Sequence, residues 1–185
     1  MIRELDHLVI AARTLDDGAA WVRERLGVLP HTAIGKHATM GTHNRLLSLG
    51  PGRFLEVIAV DPEATPPKRP RWFDLDTPEL QRRIAESPEL IHWVERTDDL
   101  EAAIVGYPVP VEITPFARGA YRWRMALTPD GSRPAGNTVP TLIQWDGAHP
   151  ADALPDAGIR LEGFGQDAGR LAASFSTTSG TRTIP

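Results

Sequence analysis

Four polar residues sit in strand-like runs where an apolar side chain is expected, and their spacing nearly repeats. His7 lies in Leu5-Asp-His-Leu-Val-Ile-Ala11 and shares with Leu5 and Val9 the face that should be buried. Glu56 lies among Phe54, Leu55, Val57 and Ile58, the most strongly β-forming stretch of the chain, where a carboxylate must be paired, metal-bound or on an edge. His92 falls in Leu90-Ile-His-Trp-Val-Glu-Arg-Thr97, and Gln144 lies between Ile143 and Trp145. His7 to Glu56 spans 49 residues and His92 to Gln144 spans 52. Polar residues at matching places in the first and last strands of two segments indicate an internal repeat. Each histidine is then either hydrogen-bonded core or a ligand.

The elements that position these residues follow from local pattern. The first strand runs into a helix capped by Thr14, with Asp16 and Asp17 in its first turn, an apolar stripe of Trp21, Val22 and Leu26, and Gly27 as its stop. Strands are expected over 41–49 and 53–60, separated by Gly50-Pro-Gly52. Residues 61–76, with Pro62, Pro66, Pro67 and Pro70, read as a linker, and Thr77-Pro78-Glu79 caps a short helix to about Ala85. The second segment repeats the first: a strand at 90–97, a helix over 97–106 whose Thr97-Asp-Asp echoes the opening, and strands at 109–116, 121–127 and 138–146. The fold class is therefore α+β, with two βαβββ modules at 1–60 and 89–147, a linker and short helix at 61–88, and an extension at 148–185, all in one structural domain. Within the extension, 158–164 and 166–175 read as a partial third strand and helix, and the Ser- and Thr-rich 174–185 as a poorly packed tail.

Composition narrows the classes. The chain has 185 residues, 20 Lys and Arg against 24 acidic residues, a net charge of −4, and no cysteine. There is no general field to attract a phosphate backbone, so nucleic acid is not an expected partner. Disulfides, thiolate metal sites and thiol nucleophiles are all removed. No apolar run is long enough to span a bilayer and the N-terminus does not read as a signal peptide, which leaves no membrane role and the cytoplasm as the default location.

Two βαβββ units with a polar residue in the first and last strand of each resemble the vicinal oxygen chelate superfamily, which includes glyoxalase I, fosfomycin-resistance proteins and extradiol dioxygenases. The resemblance covers about residues 5–147 and is carried by Leu5-Asp-His-Leu-Val-Ile, Gly41-Thr-His-Asn, Phe54-Leu-Glu-Val-Ile-Ala-Val and Pro140-Thr-Leu-Ile-Gln-Trp-Asp, which look like the glyoxalase-like branch. It implies that the two units curve into a cup, with His7, Glu56, His92 and Gln144 projecting inward as metal ligands. Independently of the family, two imidazoles and a carboxylate suit a divalent first-row ion such as Zn, Ni, Mn or Fe, with positions left open for a substrate bearing adjacent oxygens. Relatives of this kind commonly pair, and exposed strand edges favour a homodimer.

The sequence also departs from the family. The last-strand residue that moves the proton in glyoxalase I is a glutamate, and Gln144 cannot act as a base, so the catalytic role passes to Glu56. The expected activity is a glyoxalase-like metal-dependent lyase or isomerase on a small oxygenated substrate. The alternatives are a metal-free protein that sequesters a small molecule in the same cup, and an Fe(II) ring-cleavage dioxygenase. His31, His37 and His149 read as surface residues, and His43 and Asn44 as a turn. Arg45, Arg122 and Arg124 read as a solvated outer face, Trp72 as an anchor for the linker, and Trp93 and Trp145 as packing on the face opposite the polar positions.

Overall fold

A computed structural model describes residues 2–167 and 170–185. The first module comprises β1 (Arg3–Ala11), α1 (Leu15–Leu26), β2 (Gly35–His37), β3 (Thr42–Ser48) and β4 (Phe54–Val60). After α2 (Pro78–Glu86), the second comprises β5 (Glu89–Thr97), α3 (Leu100–Ala103), β6 (Glu112–Arg118), β7 (Tyr121–Leu127) and β8 (Thr141–Trp145). These strands form one sheet in the order β2-β3-β4-β1-β5-β8-β7-β6. β1 and β5 are antiparallel neighbours at its centre, and each is parallel to the last strand of its own module. The sheet curls until its two ends, β2 and β6, touch. The cup is therefore nearly closed within one chain, with β2 and β6 facing each other across the seam.

Helix α1 forms for the reasons its sequence supplies. Thr14 Oγ1 accepts from the Asp17 amide at 3.1 Å, and Gly27, at φ 79°, closes the helix by donating to Arg23 O at 2.8 Å. Trp21, Val22 and Leu26 pack on the outer face of the sheet against Leu8, Ile10, Leu55 and Val57. Each such side chain contributes about 1.5–3 kcal/mol on burial. The second helix is shorter than expected: α3 has four residues, capped by Asp99, and packs Leu100 and Ala103 against Ala126 and Leu142.

The extension differs from the expected strand, helix and loose tail. It is a three-stranded antiparallel sheet of β9 (Arg160–Asp167), β10 (Arg170–Thr177) and β11 (Gly180–Ile184) that packs on the same outer core as α1. Leu171, Ala173 and Phe175 recur every second residue and are buried together with Ile184. That period is a strand's, and Ala172, Ser174 and Ser176 occupy its other face.

Residues 61–76 do not link two bodies; they fold back as a strap into the cup. Trp72, Phe73 and Leu75 are buried against Val9, Ile58, Val94 and Met125. Phe73 and Asp74 have left-handed backbones, φ 62° and 63°, a conformation that costs about 1–3 kcal/mol per residue. It is held by Asp74, whose carboxylate accepts from Arg133 Nε at 2.6 Å and whose amide donates to Gly131 O at 2.9 Å. No helix among the described residues is long and apolar enough to cross a membrane.

Candidate active site

Between the strap and the inner sheet face lies a narrow pocket, lined by His7, His37, Asn44, Glu56 and Arg118 and walled by Phe54, Trp72, Trp123 and Trp145. His7 reaches it from β1. Its ring stacks on Phe54, its neighbour across the β1–β4 pair, with centroids 4.5 Å apart and planes at 13°. Nδ1 lies 2.6 Å from Asp6 Oδ1, and Nε2 lies 3.7 Å from Glu56 Oε2. A carboxylate can only accept here, so Nδ1 carries the hydrogen and Nε2 faces the cavity.

Consecutive strand residues ordinarily point to opposite faces. Asp6 meets His7 because β1 carries a bulge there: Leu5 pairs with Glu95 and His7 with Val94, which leaves Asp6 without a partner in the ladder. Its carboxylate is fully buried and accepts from His7 Nδ1, from His149 Nε2 at 2.9 Å and from Trp145 Nε1 at 2.9 Å. Burial alone would raise its pKa. The hydrogen bonds from His149 and His7 overcome this and hold the carboxyl well below the usual carboxylate range.

Glu56, on β4, is buried and accepts from Asn44 Nδ2 at 2.6 Å. Asn44 is in turn fixed by Arg118, whose Nη1 donates to Asn44 Oδ1 at 3.1 Å across the seam of the cup. Arg118 Nη1 and Asn44 Nδ2 both lie 3.3 Å from His37 Nε2, which accepts, while His37 Nδ1 lies 3.0 Å from Thr42 Oγ1. Burial first, then the Arg118 charge, lower the His37 pKa to about 3, so the ring is neutral.

The second module does not contribute its expected pair. His92 is on the inner face, but it is completely buried beneath Phe73 and both its ring nitrogens are occupied. Nδ1 donates to Asn137 Oδ1 at 2.6 Å, and Nε2 accepts from the Thr141 amide at 3.1 Å with the Thr141 hydroxyl 2.9 Å away. Burial lowers its pKa to about 3 against the Asn137 hydrogen bond, with Arg133 and His7 adding to the depression. Gln144 pairs with Arg124 in the ladder and lies on the outer face. There its oxygen accepts from Leu100 N at 3.1 Å and Arg124 Nη2 at 2.6 Å, and its nitrogen donates to Asp98 O at 2.9 Å. The physical reason is parity. A spacing of 49 from His92 lands on Thr141, which faces inward, and the three further residues to Gln144 reverse the face.

The donors at the pocket do not fit a resident metal of the expected kind. An ion with arms of about 2.1 Å could bridge His7 Nε2 and Glu56 Oε2. The remaining candidates are taken: His37 Nε2 and Asn44 Oδ1 already accept from Arg118, whose positive charge sits beside them. Among the described residues no three His, Asp or Glu side chains come together as a metal site. An Fe(II) dioxygenase centre would need a second histidine on the same ion, and His92 is committed elsewhere.

Several residues at the site were not expected there. His37, Asn44 and His149 belong to its network rather than to surface or turn, Trp145 forms its wall, and Arg118 rather than Arg45, Arg122 or Arg124 supplies the charge. A signal existed for Asn44, since Thr42, Asn44 and Leu46 alternate toward one face. None existed for Arg118, which only closure of the cup delivers.

A family model described as glyoxalase-like domain matches residues 5–175. No curated protein sequence matches the chain. Among solved structures, a hypothetical protein from Staphylococcus aureus is similar at TM-score 0.56 and 14% identity, over 96% of this chain and 82% of that one. Methylmalonyl-CoA epimerase from Mycobacterium tuberculosis is similar at TM-score 0.46 and 18% identity, over 78% of this chain and 87% of that one. At such identities the likeness concerns the fold. The family match spans both modules and most of the extension, and the chain belongs to the glyoxalase-like domain family.

Proposed function

We propose that this protein is an isomerase or lyase that moves a proton on a small oxygenated substrate, with His7 as the base, Asp6 as its positioning residue and Glu56 as the second polar contact. The observation that supports this reading is the line Asp6–His7–Glu56, with Nδ1 held at 2.6 Å and Nε2 standing 3.7 Å from a carboxylate oxygen inside a pocket. The Nε2 lone pair removes a proton from carbon next to a carbonyl, leaving an enolate. The buried Asp6 carboxylate stabilises the imidazolium so formed. Glu56 accepts a hydrogen bond from a substrate hydroxyl; the imidazolium returns its proton to the same carbon, or to the neighbouring carbon while Glu56 takes the hydroxyl proton and passes it to the former carbonyl oxygen. Positioned acid–base catalysis of this sort is worth about 10²–10⁴-fold.

The reading is tested by proton exchange. The protein is incubated in D₂O with a panel of 2-oxo acids and 2-hydroxy ketones, and loss of the α-proton signal is followed by NMR. Exchange above the buffer rate, abolished in His7→Gln, reduced in Glu56→Gln and indifferent to a chelator, is the expected result. Silence across the panel, or exchange that persists in His7→Gln, overturns it. The aromatic walls of Trp72, Trp123 and Trp145 favour a second reading, a protein that only sequesters a small molecule. For that reading the panel quenches tryptophan fluorescence with no exchange.

A further inference from the structure

Arg118 is the charged group at the pocket with no charge opposite it. It ends β6 at the seam of the cup, half-buried, and its hydrogen bonds go to Asn44 and His37, both neutral. Among the described residues no carboxylate is within ion-pair distance of it, and Glu56 acts on it only through space. The guanidinium has five N–H donors and only Nη1 is engaged. Its surroundings are a built cradle. A Cβ at residue 35 would overlap both Arg118 Nη1 and Asn44 Oδ1, so Gly35 is the absence of a side chain that lets the guanidinium lie where it does. Arg118, Asn44, Leu46 and Pro150 also line a second, roomier cavity that adjoins the inner pocket and has Tyr121 in its lining.

A half-buried cation without a counter-ion is costly, and an anion entering the cavity offsets that cost. The fork geometry of a guanidinium matches a carboxylate with two parallel hydrogen bonds. Glu56 lies one carboxamide away, since Asn44 bonds Arg118 through Oδ1 and Glu56 through Nδ2. A ligand anion is thus drawn to Arg118 and repelled from Glu56, which sets its direction in the pocket.

We infer that Arg118 is the specificity-determining residue of this site, binding the carboxylate of a small organic acid where the inner pocket and the adjoining cavity meet, with the acid's apolar or aromatic body in the space around that junction. The position of the reacting carbon, a few bonds from that carboxylate and beside His7, rests on the acid–base reading above; the carboxylate site does not.

The test compares phenylacetate with phenylacetamide, equal in shape and different in charge, by titration against tryptophan fluorescence and calorimetry. The wild-type protein is expected to bind the acid at least tenfold more tightly than the amide, with the preference shrinking as salt is raised. Arg118→Gln is expected to lose the preference, Arg118→Lys to keep part of it, and Gly35→Ala to weaken it by displacing the guanidinium. Equal affinities for acid and amide in the wild-type protein overturn the inference without reference to any variant's folding. So does no binding of either, or a preference undiminished in a folded Arg118→Gln protein. No chemistry occurs in this experiment, so its failure leaves the proton-exchange result standing, and failure of exchange leaves carboxylate binding standing.

Discussion

Each half of the molecule places a histidine one residue after a β-bulge, and sets against its Nε2 the side chain 49 residues further on. In the first half that side chain is Glu56; in the second it is Thr141. The bulge residue is Asp6 in one and Ile91 in the other. Asp6 supplies its own carboxylate to His7 Nδ1. Ile91 cannot do so, and the same nitrogen of His92 is served by Asn137, which also caps the Ile91 carbonyl freed by the bulge. The decisive difference is at Nε2. Glu56 stands 3.7 Å from His7 Nε2, too far for a hydrogen bond, and leaves that nitrogen facing the cavity, whereas the Thr141 amide donates to His92 Nε2 and closes it. One framework thus leaves an imidazole nitrogen open to a pocket in one half and fully bonded in the other.

The contrast is broken most directly at His7. His7→Gln should lower proton exchange by about 10²-fold or more, while thermal unfolding shows a folded protein; equal exchange would make the two halves alike. His92 should answer in the opposite currency. His92→Leu leaves the Thr141 amide and Asn137 without their partner in the interior, and urea unfolding should show a loss of about 2–4 kcal/mol. Exchange per folded molecule should be unchanged.

Stability against pH sharpens the same comparison. His37 and His92 have folded pKa values of about 3 against 6.5 for the free side chain. Between those values the unfolded chain binds more protons, so stability is complete above pH 6.5 and falls as pH drops toward 3, by up to about 1.4 kcal/mol per pH unit for each ring. Asp6, held below its ordinary range, adds its own loss only below about pH 4. In His92→Leu the slope between pH 6 and 4, read from unfolding at a series of pH values, should be about half as steep. The smallest effect belongs to Gln144. Its bonds to Leu100 and Arg124 lie on a partly exposed outer face, so Gln144→Ala should cost about 1 kcal/mol or less. It should leave exchange and carboxylate binding untouched.

Much of the fold was legible because its signals are local. Thr14, Gly27 and the stripe from Trp21 to Leu26 define α1 with no reference to the rest of the chain. The alternation of β7 and the turn at Gly50 are of the same kind. His7 and Glu56 were legible as misplaced polar residues in strong strands. The β10 alternation was present in the sequence too, but Ala172 blurs it and the Ser and Thr from Ser174 onward mask it in composition.

What the sequence alone determined is the pair of βαβββ units and the polar residues in their first and last strands, because helix and strand periods and caps are written within a few residues. What only the tertiary structure decided is which of those residues meet. A bulge turns Asp6 toward His7, and ladder register sends Gln144 outward and Thr141 inward. The strap buries His92 under Phe73, and closure of the sheet carries Arg118 to Asn44. Each of these depends on partners tens of residues away, and a shift of one residue in register reverses the face on which a side chain acts.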